Sequence, residues 1–180
     1  MIARFRSCSL FGMFKRRLRL PAFSYVGRWR YFLTFCTSDR HAAFCSPDVV
    51  NQALSQILRS AAQHAFEILA YCFMPDHVHL LVEGVSETSD LRRFVHAAKQ
   101  LSGYAYTQST RMRLWQPSYF EHILREEDDT WGVAGYIVGN PLRAGLAVRA
   151  DEYPFVGSCT VTLKELLYFV QSAPRWKYQP

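Results

Sequence analysis

The chain has 180 residues, of which 49% are hydrophobic and 15% aromatic, and this fits one globular domain with a proper core. No apolar run reaches the roughly 18 residues of a membrane-spanning helix, so none is expected. The five cysteines are odd in number and include no Cys-x-x-Cys pair. This pattern disfavours a disulfide framework or a zinc knuckle and favours reduced thiols, so we predict a cytoplasmic protein.

The net charge of +6 is concentrated at one end of the chain. Residues 1–30 contain eight basic residues and no acid, whereas the remainder has 13 basic and 15 acidic residues. We therefore predict a flexible basic arm over residues 1–21 that favours a polyanion, with nucleic acid as the first candidate and an anionic membrane as the second. The alternatives are a solubilising tail or a translation start at Met13.

The first elements in chain order are a strand, a helix and a hairpin. Aromatic and β-branched residues predict a strand over Tyr31–Thr37. Ser46-Pro47 offers a helix start, and apolar residues then recur at helical spacing. Two further strands are predicted over Phe66–Met74 and His77–Val82, and the short break between them at Pro75-Asp76 favours an antiparallel hairpin.

The second half adds a helix capped by Ser89-Asp90, a short strand near residues 119–124 and a helix that begins at the acidic residues 126–129. That helix should end or kink at Asn140, because Pro141 disfavours helical geometry there. A last helix is predicted over Leu163–Ser172. The order of elements is typical of a ferredoxin-like sandwich, an α+β fold in which an antiparallel sheet carries its helices on one face.

His77 and His79 are the most informative residues, because they interrupt an apolar strand. Alternate residues of a strand share a face, so the two side chains lie side by side, about 7 Å apart along the strand. Two neutral imidazoles in this arrangement can bind one divalent metal ion. The alternative is an ordinary strand with two histidines on an exposed face.

Tyr136 and Asn140 are candidate partners of the histidines. They are four residues apart and share a face of the helix that follows residue 126. A tyrosine hydroxyl could attack a metal-bound phosphate, and an amide oxygen is an acceptable ligand for a hard cation. The alternatives are a core aromatic residue capped by a hydrogen bond and a helix-terminal asparagine before proline.

Taken together, these motifs resemble the HUH single-tyrosine transposases, and within them the REP-associated tyrosine transposase branch. The similarity spans residues 23–157, with residues 1–21 as the arm, 22–157 as the catalytic domain and 158–180 as an extension with one helix. The motifs are the opening strand Tyr31–Phe35, His77-Val78-His79, Trp115-Gln116-Pro117, Glu121–Arg125, Tyr136–Leu146 and Asp151–Phe155.

The resemblance implies a single-stranded DNA endonuclease and strand transferase that depends on Mg²⁺ or Mn²⁺. His77, His79 and Asn140 would match the metal ligands, and Tyr136, on a C-terminal helix, would match the nucleophile that forms a 5′-phosphotyrosine link. More distant relatives carry glutamine at the position of Asn140. The implied partner is single-stranded or hairpin-forming repeat DNA, with no membrane, and relatives include monomers and homodimers.

Further residues are predicted to contact DNA. Basic and aromatic side chains alternate in two places, where backbone contacts and base stacking could combine. His122 and Arg125 match recurrent motif positions, without an assigned chemistry. The predicted DNA-binding residues are Arg28, Trp29, Arg30, Arg111, Arg113, Trp115, His122 and Arg125. Two other functions remain open: a non-catalytic nucleic-acid-binding module on the same fold, and a phosphodiesterase in which water attacks.

Overall fold

A computed structural model describes residues 23–126 and 128–176 of the chain. The elements, in chain order, are β1 (Arg30–Cys36), α1 (Pro47–Gln63), β2 (Phe66–Met74), β3 (His77–Gly84), α2 (Leu91–Thr110), β4 (Phe120–Ile123), α3 (Thr130–Val138), α4 (Asn140–Arg143), β5 (Val156–Gly157) and α5 (Leu163–Ser172). The predicted basic arm lies outside the described residues. Within them, no helix is long and apolar enough to cross a membrane.

One antiparallel sheet with the strand order β4-β1-β3-β2-β5 organises the fold. The β2–β3 hairpin turns through Pro75-Asp76, and β1 pairs with β3 in a register that places Thr34 opposite His79 and Cys36 opposite His77. Strand β3 is therefore central, with a neighbour on each side. A central strand is a rigid place for side chains that must keep a fixed separation.

Helices α1 and α2 cover one face of this sheet. Helix α1 begins with Pro47, at a position where the missing N–H costs nothing. Helix α2 is capped by Asp90, whose carboxylate accepts hydrogen bonds from the backbone N–H groups of Arg92 and Arg93. Their apolar sides pack on alternate residues of the strands, which are Tyr31, Leu33 and Phe35 of β1 with Val78, Leu80 and Val82 of β3.

The opposite face is covered by α3 and α5. The residues that alternate with the first set, such as Phe32 and Leu81, pack there against Val133, Ile137 and Leu166. His77, His79 and Thr34 belong to this second face, since they alternate with residues of the first. The α+β, ferredoxin-like class is confirmed, but the expectation that the helices lie on one face is corrected: α1 and α2 pack on one face and α3 and α5 on the other, because both faces of the central strands are apolar.

Local differences from the predicted elements are small. The bounds of β2 and α5 agree with the prediction, and β3 continues two residues further, to Gly84. The helix expected to break at Asn140 ends at Val138, and α4 begins at Asn140 with Pro141 in its first turn. The two-residue edge strand β5 was not predicted, because so short a strand is defined by its pairing with Tyr71 and Cys72.

Candidate active site

The two histidines of β3 meet at their outer ring nitrogens. The Nε2 atoms of His77 and His79 are 3.1 Å apart, and the ring planes are nearly perpendicular. Neighbouring ligands of an octahedral cation, each about 2.1 Å from the metal, are roughly 3.0 Å apart. The separation of the two nitrogens therefore fits one edge of such a coordination sphere.

The other ring nitrogen of each histidine is held by a neighbouring side chain. His77 Nδ1 lies 2.5 Å from Asp76 Oδ1, and His79 Nδ1 lies 2.8 Å from Thr34 Oγ1. Burial alone would raise the pKa of Asp76, but its hydrogen bond with His77 and the nearby charges of His77 and Arg40 hold that pKa below its usual value. Asp76 is thus a carboxylate that accepts the Nδ1 hydrogen of His77. This is how outer partners fix the orientation of metal-binding histidines.

When the Nδ1 atoms of His77 and His79 both donate, both Nε2 lone pairs point toward the same small space. That arrangement is repulsive unless a cation or a proton lies between the lone pairs. Burial is the largest cause that holds the pKa of His79 well below its usual value, with further contributions from His77, Arg143 and Arg40. His79 is therefore neutral and can offer its lone pair to a metal. The donor set fits a divalent cation.

No group of three or more His, Cys, Asp or Glu side chains is arranged to hold a metal in the part of the chain described. The histidine pair would therefore need an amide, water or substrate oxygens to complete a coordination sphere. Oxygen ligands of this kind are the ones that Mg²⁺ and Mn²⁺ prefer.

Tyr136 on α3 lies beside the histidine pair. Its ring centroid is 6.3 Å from that of His79, and Phe32 contacts both rings, at 5.3 Å from His79 and 5.8 Å from Tyr136. Helix α3 is positioned by Asp129, whose side chain caps it by accepting from the N–H of Gly132. The fold therefore brings Tyr136 next to the pair His77 and His79, from which it is far apart in sequence.

Asn140 lies one turn beyond Tyr136, at the start of α4. Its Nδ2 donates to the backbone carbonyl oxygen of Tyr136 over 3.2 Å. This bond leaves the amide oxygen available as a ligand. It also ties the position of Asn140 to that of the tyrosine.

A third layer of the site comes from the C-terminal segment. The Trp176 indole packs against Tyr136 at 5.3 Å and against Phe32 at 5.4 Å. Its Nε1 donates to Asp128 Oδ1, while Asp128 Oδ2 is 3.1 Å from His122 Nε2. His122 is therefore linked to Trp176 through Asp128. This contact gives His122 a structural hydrogen bond, whereas the sequence motif assigned it no chemistry.

The first cluster of predicted DNA-binding residues is on the surface near β1. Arg28 forms an exposed ion pair with Glu87, and Trp29 packs on Phe23 with 44% of its surface exposed. Arg30 contacts Glu83 and Thr130. Arg125 is also exposed, and its backbone N–H donates to Asp128. These side chains can reach a bound polyanion, although two of the arginines already have acidic partners.

Trp115, from the second cluster, does not lie on the surface. The side chain is 4% exposed, packs against Phe35 and Phe44, and donates its Nε1 hydrogen to Ser102 Oγ. A ring with so little exposed surface cannot stack on a base, so the prediction of Trp115 as a DNA-stacking residue is corrected here. Alternation of charge and aromatic residues cannot distinguish a surface ring from a core ring.

The two arginines of that cluster belong to a larger basic face. Residues 91–120 contain five basic residues and no acid, whereas the rest of residues 31–180 contains eight basic and 15 acidic residues. A groove of about 550 Å³ lies along α2 and the loop after it, on the sheet face opposite the histidines. We call the surface formed by residues 91–120 the basic face; of its five cations, Arg92, Lys99 and Arg113 line the groove, and Arg93 and Arg111 are exposed residues of the same segment.

Lys99 plays a structural part in the basic face. Its Nζ donates to the backbone carbonyl oxygens of Gln116, Pro117 and Ser118 over 2.8–3.1 Å. Burial lowers the pKa of Lys99 to about 8. The ammonium group thus holds the loop that leads into β4.

Sequence reasoning missed the residues that support the site. Thr34 and Asp76 hold the histidines, Arg143 lies over Tyr136, and Trp176 covers it. Thr34 could have been noticed in the sequence, because it is a polar residue in the apolar strand Tyr31–Phe35. The distant Trp176 carried no such signal.

Comparisons with known proteins identify the family to which the chain belongs. The family model described as "Transposase IS200 like" matches residues 25–140. The chain therefore belongs to the IS200-like transposase family, whose members cleave and transfer DNA strands, and the predicted family is confirmed.

Three relatives illustrate the match. A Haemophilus influenzae protein described as a REP-associated tyrosine transposase is 27% identical over 143 residues, which cover 69% of this chain and 77% of that one. The ISDra2 transposase TnpA of Deinococcus radiodurans is 36% identical over 104 residues, covering 53% and 72% respectively. A solved REP-associated tyrosine transposase bound to a REP hairpin has a similar fold, with a TM-score of 0.63, 22% identity and coverage of 73% and 78%.

Proposed function

We propose that this protein is a metal-dependent single-stranded DNA endonuclease and strand transferase that acts at hairpin-forming repeat DNA. The observation that carries the proposal is the approach of Tyr136 to His79, whose Nε2 meets that of His77 at 3.1 Å. A paired metal-ligand set and a phenol on one sheet face supply what phosphodiester transfer requires. Similarity to a protein solved with a REP hairpin supports the substrate class.

His77, His79 and the amide oxygen of Asn140 would hold Mg²⁺ or Mn²⁺. When bound, the cation offsets the negative charge that develops on the scissile phosphate. The Asp76 carboxylate keeps the imidazole of His77 in the tautomer that presents Nε2, and Thr34 holds the orientation of the His79 ring. The hydrogen bond from Asn140 to the carbonyl oxygen of Tyr136 links ligand and nucleophile in one unit.

Tyr136 carries the covalent step. Its hydroxyl oxygen attacks phosphorus, the bond from phosphorus to the 3′ oxygen breaks, and the 3′-hydroxyl leaves with a proton, while the phenol loses its own proton to solvent or a base. The product is a 5′-phosphotyrosine link. Because this link keeps the phosphodiester energy, a DNA 3′-hydroxyl can reverse the step and join strands without a nucleotide cofactor.

DNA binding would use the exposed basic residues on two surfaces. Arg28, Trp29 and Arg30 lie at the start of β1, opposite the end of β3 that is remote from the histidines, and His122 and Arg125 lie on β4 and directly after it. Arg111 and Arg113 contribute to the basic face, where the absence of acids in residues 91–120 favours phosphate contacts. A duplex stem and a single strand could then be held on different faces of one small domain.

The test is the trapping of a covalent protein–DNA adduct. Wild-type protein is incubated with a labelled hairpin oligonucleotide and Mn²⁺, then denatured and separated by electrophoresis. Tyr136→Phe should bind the hairpin but form no adduct, because the ring is kept and only the nucleophile is removed. Tyr119→Phe is the matched control, since Tyr119 packs on Phe35 away from the histidines, and it should form the adduct.

Two variants and a chelator test the metal. His77→Ala and His79→Ala should each abolish adduct formation while the fold survives, and so should chelation of the cation. Cleavage without an adduct would indicate attack by water, and hairpin binding without cleavage would indicate a non-catalytic module. Adduct formation in the chelator, or cleavage by Tyr136→Phe, would refute the proposal.

A further inference from the structure

Arg143, on α4, lies on the ring of the candidate nucleophile. Its guanidinium carbon is 4.3 Å from the centroid of the Tyr136 ring, a cation–π distance. Its Nη2 also donates to the backbone carbonyl oxygen of Tyr136 over 2.5 Å. The guanidinium group of Arg143 therefore contacts both the side chain and the backbone of Tyr136, and these two contacts fix its position relative to the tyrosine.

The chain makes room for this position. A Cβ atom added at Gly139 would lie 2.8 Å from Arg143 Nη1 and 3.1 Å from the carbonyl oxygen of Gly135. Any larger residue at position 139 would displace the guanidinium. Gly139, between α3 and α4, keeps right-handed helical backbone angles (φ −78°, ψ −2°), and Arg143 follows Tyr136 by about two helical turns, so the two side chains lie on the same side of this segment.

The positive charge reaches the histidine pair as well. The Tyr136 ring beneath the guanidinium group lies 6.3 Å from the ring of His79, so the charge is separated from this histidine by one ring. On the other side, Arg143 is exposed to solvent at the mouth of the site. A group that faces the nucleophile, the histidines and solvent together is placed where an incoming phosphate must pass.

We propose that Arg143 is a catalytic residue that contacts the scissile phosphate and stabilises the charge that develops as Tyr136 attacks. This inference rests on the proposed function and adds a residue to it. Arginine presents a planar fork that matches phosphate oxygens, and positioned arginines have large effects in phosphoryl transfer. A role limited to packing would need only the apolar stem and the bond to the carbonyl oxygen of Tyr136.

The first experiment compares adduct rates for Arg143→Met and Arg143→Lys. Loss of one such charged donor commonly lowers a rate by about 10²–10³-fold, so Arg143→Met should fall by about that factor. Arg143→Lys should recover part of the rate, because it restores charge without the fork. Arg149→Met is the matched control: Arg149 is an exposed arginine six residues later that pairs with Asp151 and Glu152, and its loss should leave the rate unchanged.

The lysine variant separates catalysis from packing. Lysine restores the positive charge but not the shape of the guanidinium group, so recovery of part of the rate indicates that the charge acts in the reaction. A loss of rate in Arg143→Met that Arg143→Lys does not recover at all would overturn the proposal. An unchanged rate in Arg143→Met would overturn it as well.

A binding measurement keeps this test independent of cleavage. In a Tyr136→Phe background, where no adduct forms, Arg143→Met should weaken binding of an oligonucleotide that spans the cleavage site, while binding of the hairpin stem alone is unchanged. If Tyr136→Phe binds the spanning oligonucleotide with the same affinity with and without Arg143→Met, the proposed contact between Arg143 and phosphate is refuted. Absence of any adduct in the wild type would refute the proposed function separately, and this binding result would still decide the role of Arg143.

Discussion

Thr34 offers a direct test of how the histidine pair is held. Its hydroxyl is 2.8 Å from His79 Nδ1, and the side chain is 2% exposed. Thr34→Val replaces the hydroxyl with a methyl group of similar size, so it removes the hydrogen bond with little change in packing. The variant leaves one buried ring nitrogen of His79 without that partner.

Two magnitudes follow from this change. An unsatisfied buried polar group costs about 1–3 kcal/mol, so the free energy of unfolding of Thr34→Val should fall by about that amount. Loss of an outer partner of a metal-binding histidine commonly weakens metal binding by about 10–100-fold. This corresponds to about 1.4–2.7 kcal/mol of binding free energy.

The assay is a calorimetric titration with Mn²⁺, combined with urea unfolding of the same samples. Thr34→Ser is the control, because serine keeps the hydroxyl and loses only a methyl group. It should bind Mn²⁺ close to the wild-type affinity. Equal Mn²⁺ affinities for the valine and serine variants would refute the idea that the Thr34 hydroxyl holds His79 in place for metal binding.

Three further predictions concern other parts of the chain. Deletion of residues 1–20 should weaken DNA binding and make its dependence on salt concentration shallower, because fewer phosphate contacts release counterions. Fluorescence anisotropy at several salt concentrations measures both quantities. Unchanged affinity and unchanged salt dependence would show that the arm does not contact DNA. Trp176→Ala should lower the free energy of unfolding by about 1–3 kcal/mol, since the ring packs on Tyr136 and Phe32. Trp176→Phe keeps an aromatic ring and should retain most of the wild-type stability. Urea unfolding measures both variants. The pKa of His79 is held far below that of the unfolded chain, so His79 contributes stability above about pH 6.5 that is lost as the pH falls, by up to about 1.4 kcal/mol per pH unit. Unfolding of wild type and His79→Gln at pH 7.5 and 5.5 checks the sign; an equal decrease in both would contradict it.

Patterns that depend on local chemistry were predictable from the sequence. The bounds of β2 follow from a mostly apolar run, interrupted only by Glu67, that ends at Pro75-Asp76, and α5 follows from its Thr162 capping box and helical spacing. The face shared by His77 and His79 follows from the two-residue period of a strand. Each of these inferences needs only neighbours in sequence.

Features that depend on how distant elements of the chain pack together were not predictable. The pairing of Thr34 with His79 requires the register between β1 and β3, which no single strand reveals. Trp115 is buried because α2 and the loop after it close over one sheet face, and the sequence does not indicate which face its ring will join. Trp176 reaches Tyr136 only because α5 packs on α3, where Trp131 and Phe169 meet at 4.6 Å.

The two-sided arrangement of the helices also has a consequence for the order of folding. The nucleophile helix α3 has nine residues, and isolated helices shorter than about 12–15 residues are marginal in water. Tyr136 can thus reach its position only after the sheet exists to receive it. Local opening of the α3–α5 layer would separate Tyr136 from the histidines while α1 and α2 stay packed on the other face. Amide hydrogen exchange should accordingly be faster in α3 than in β3, so the candidate active site can come apart without the molecule unfolding.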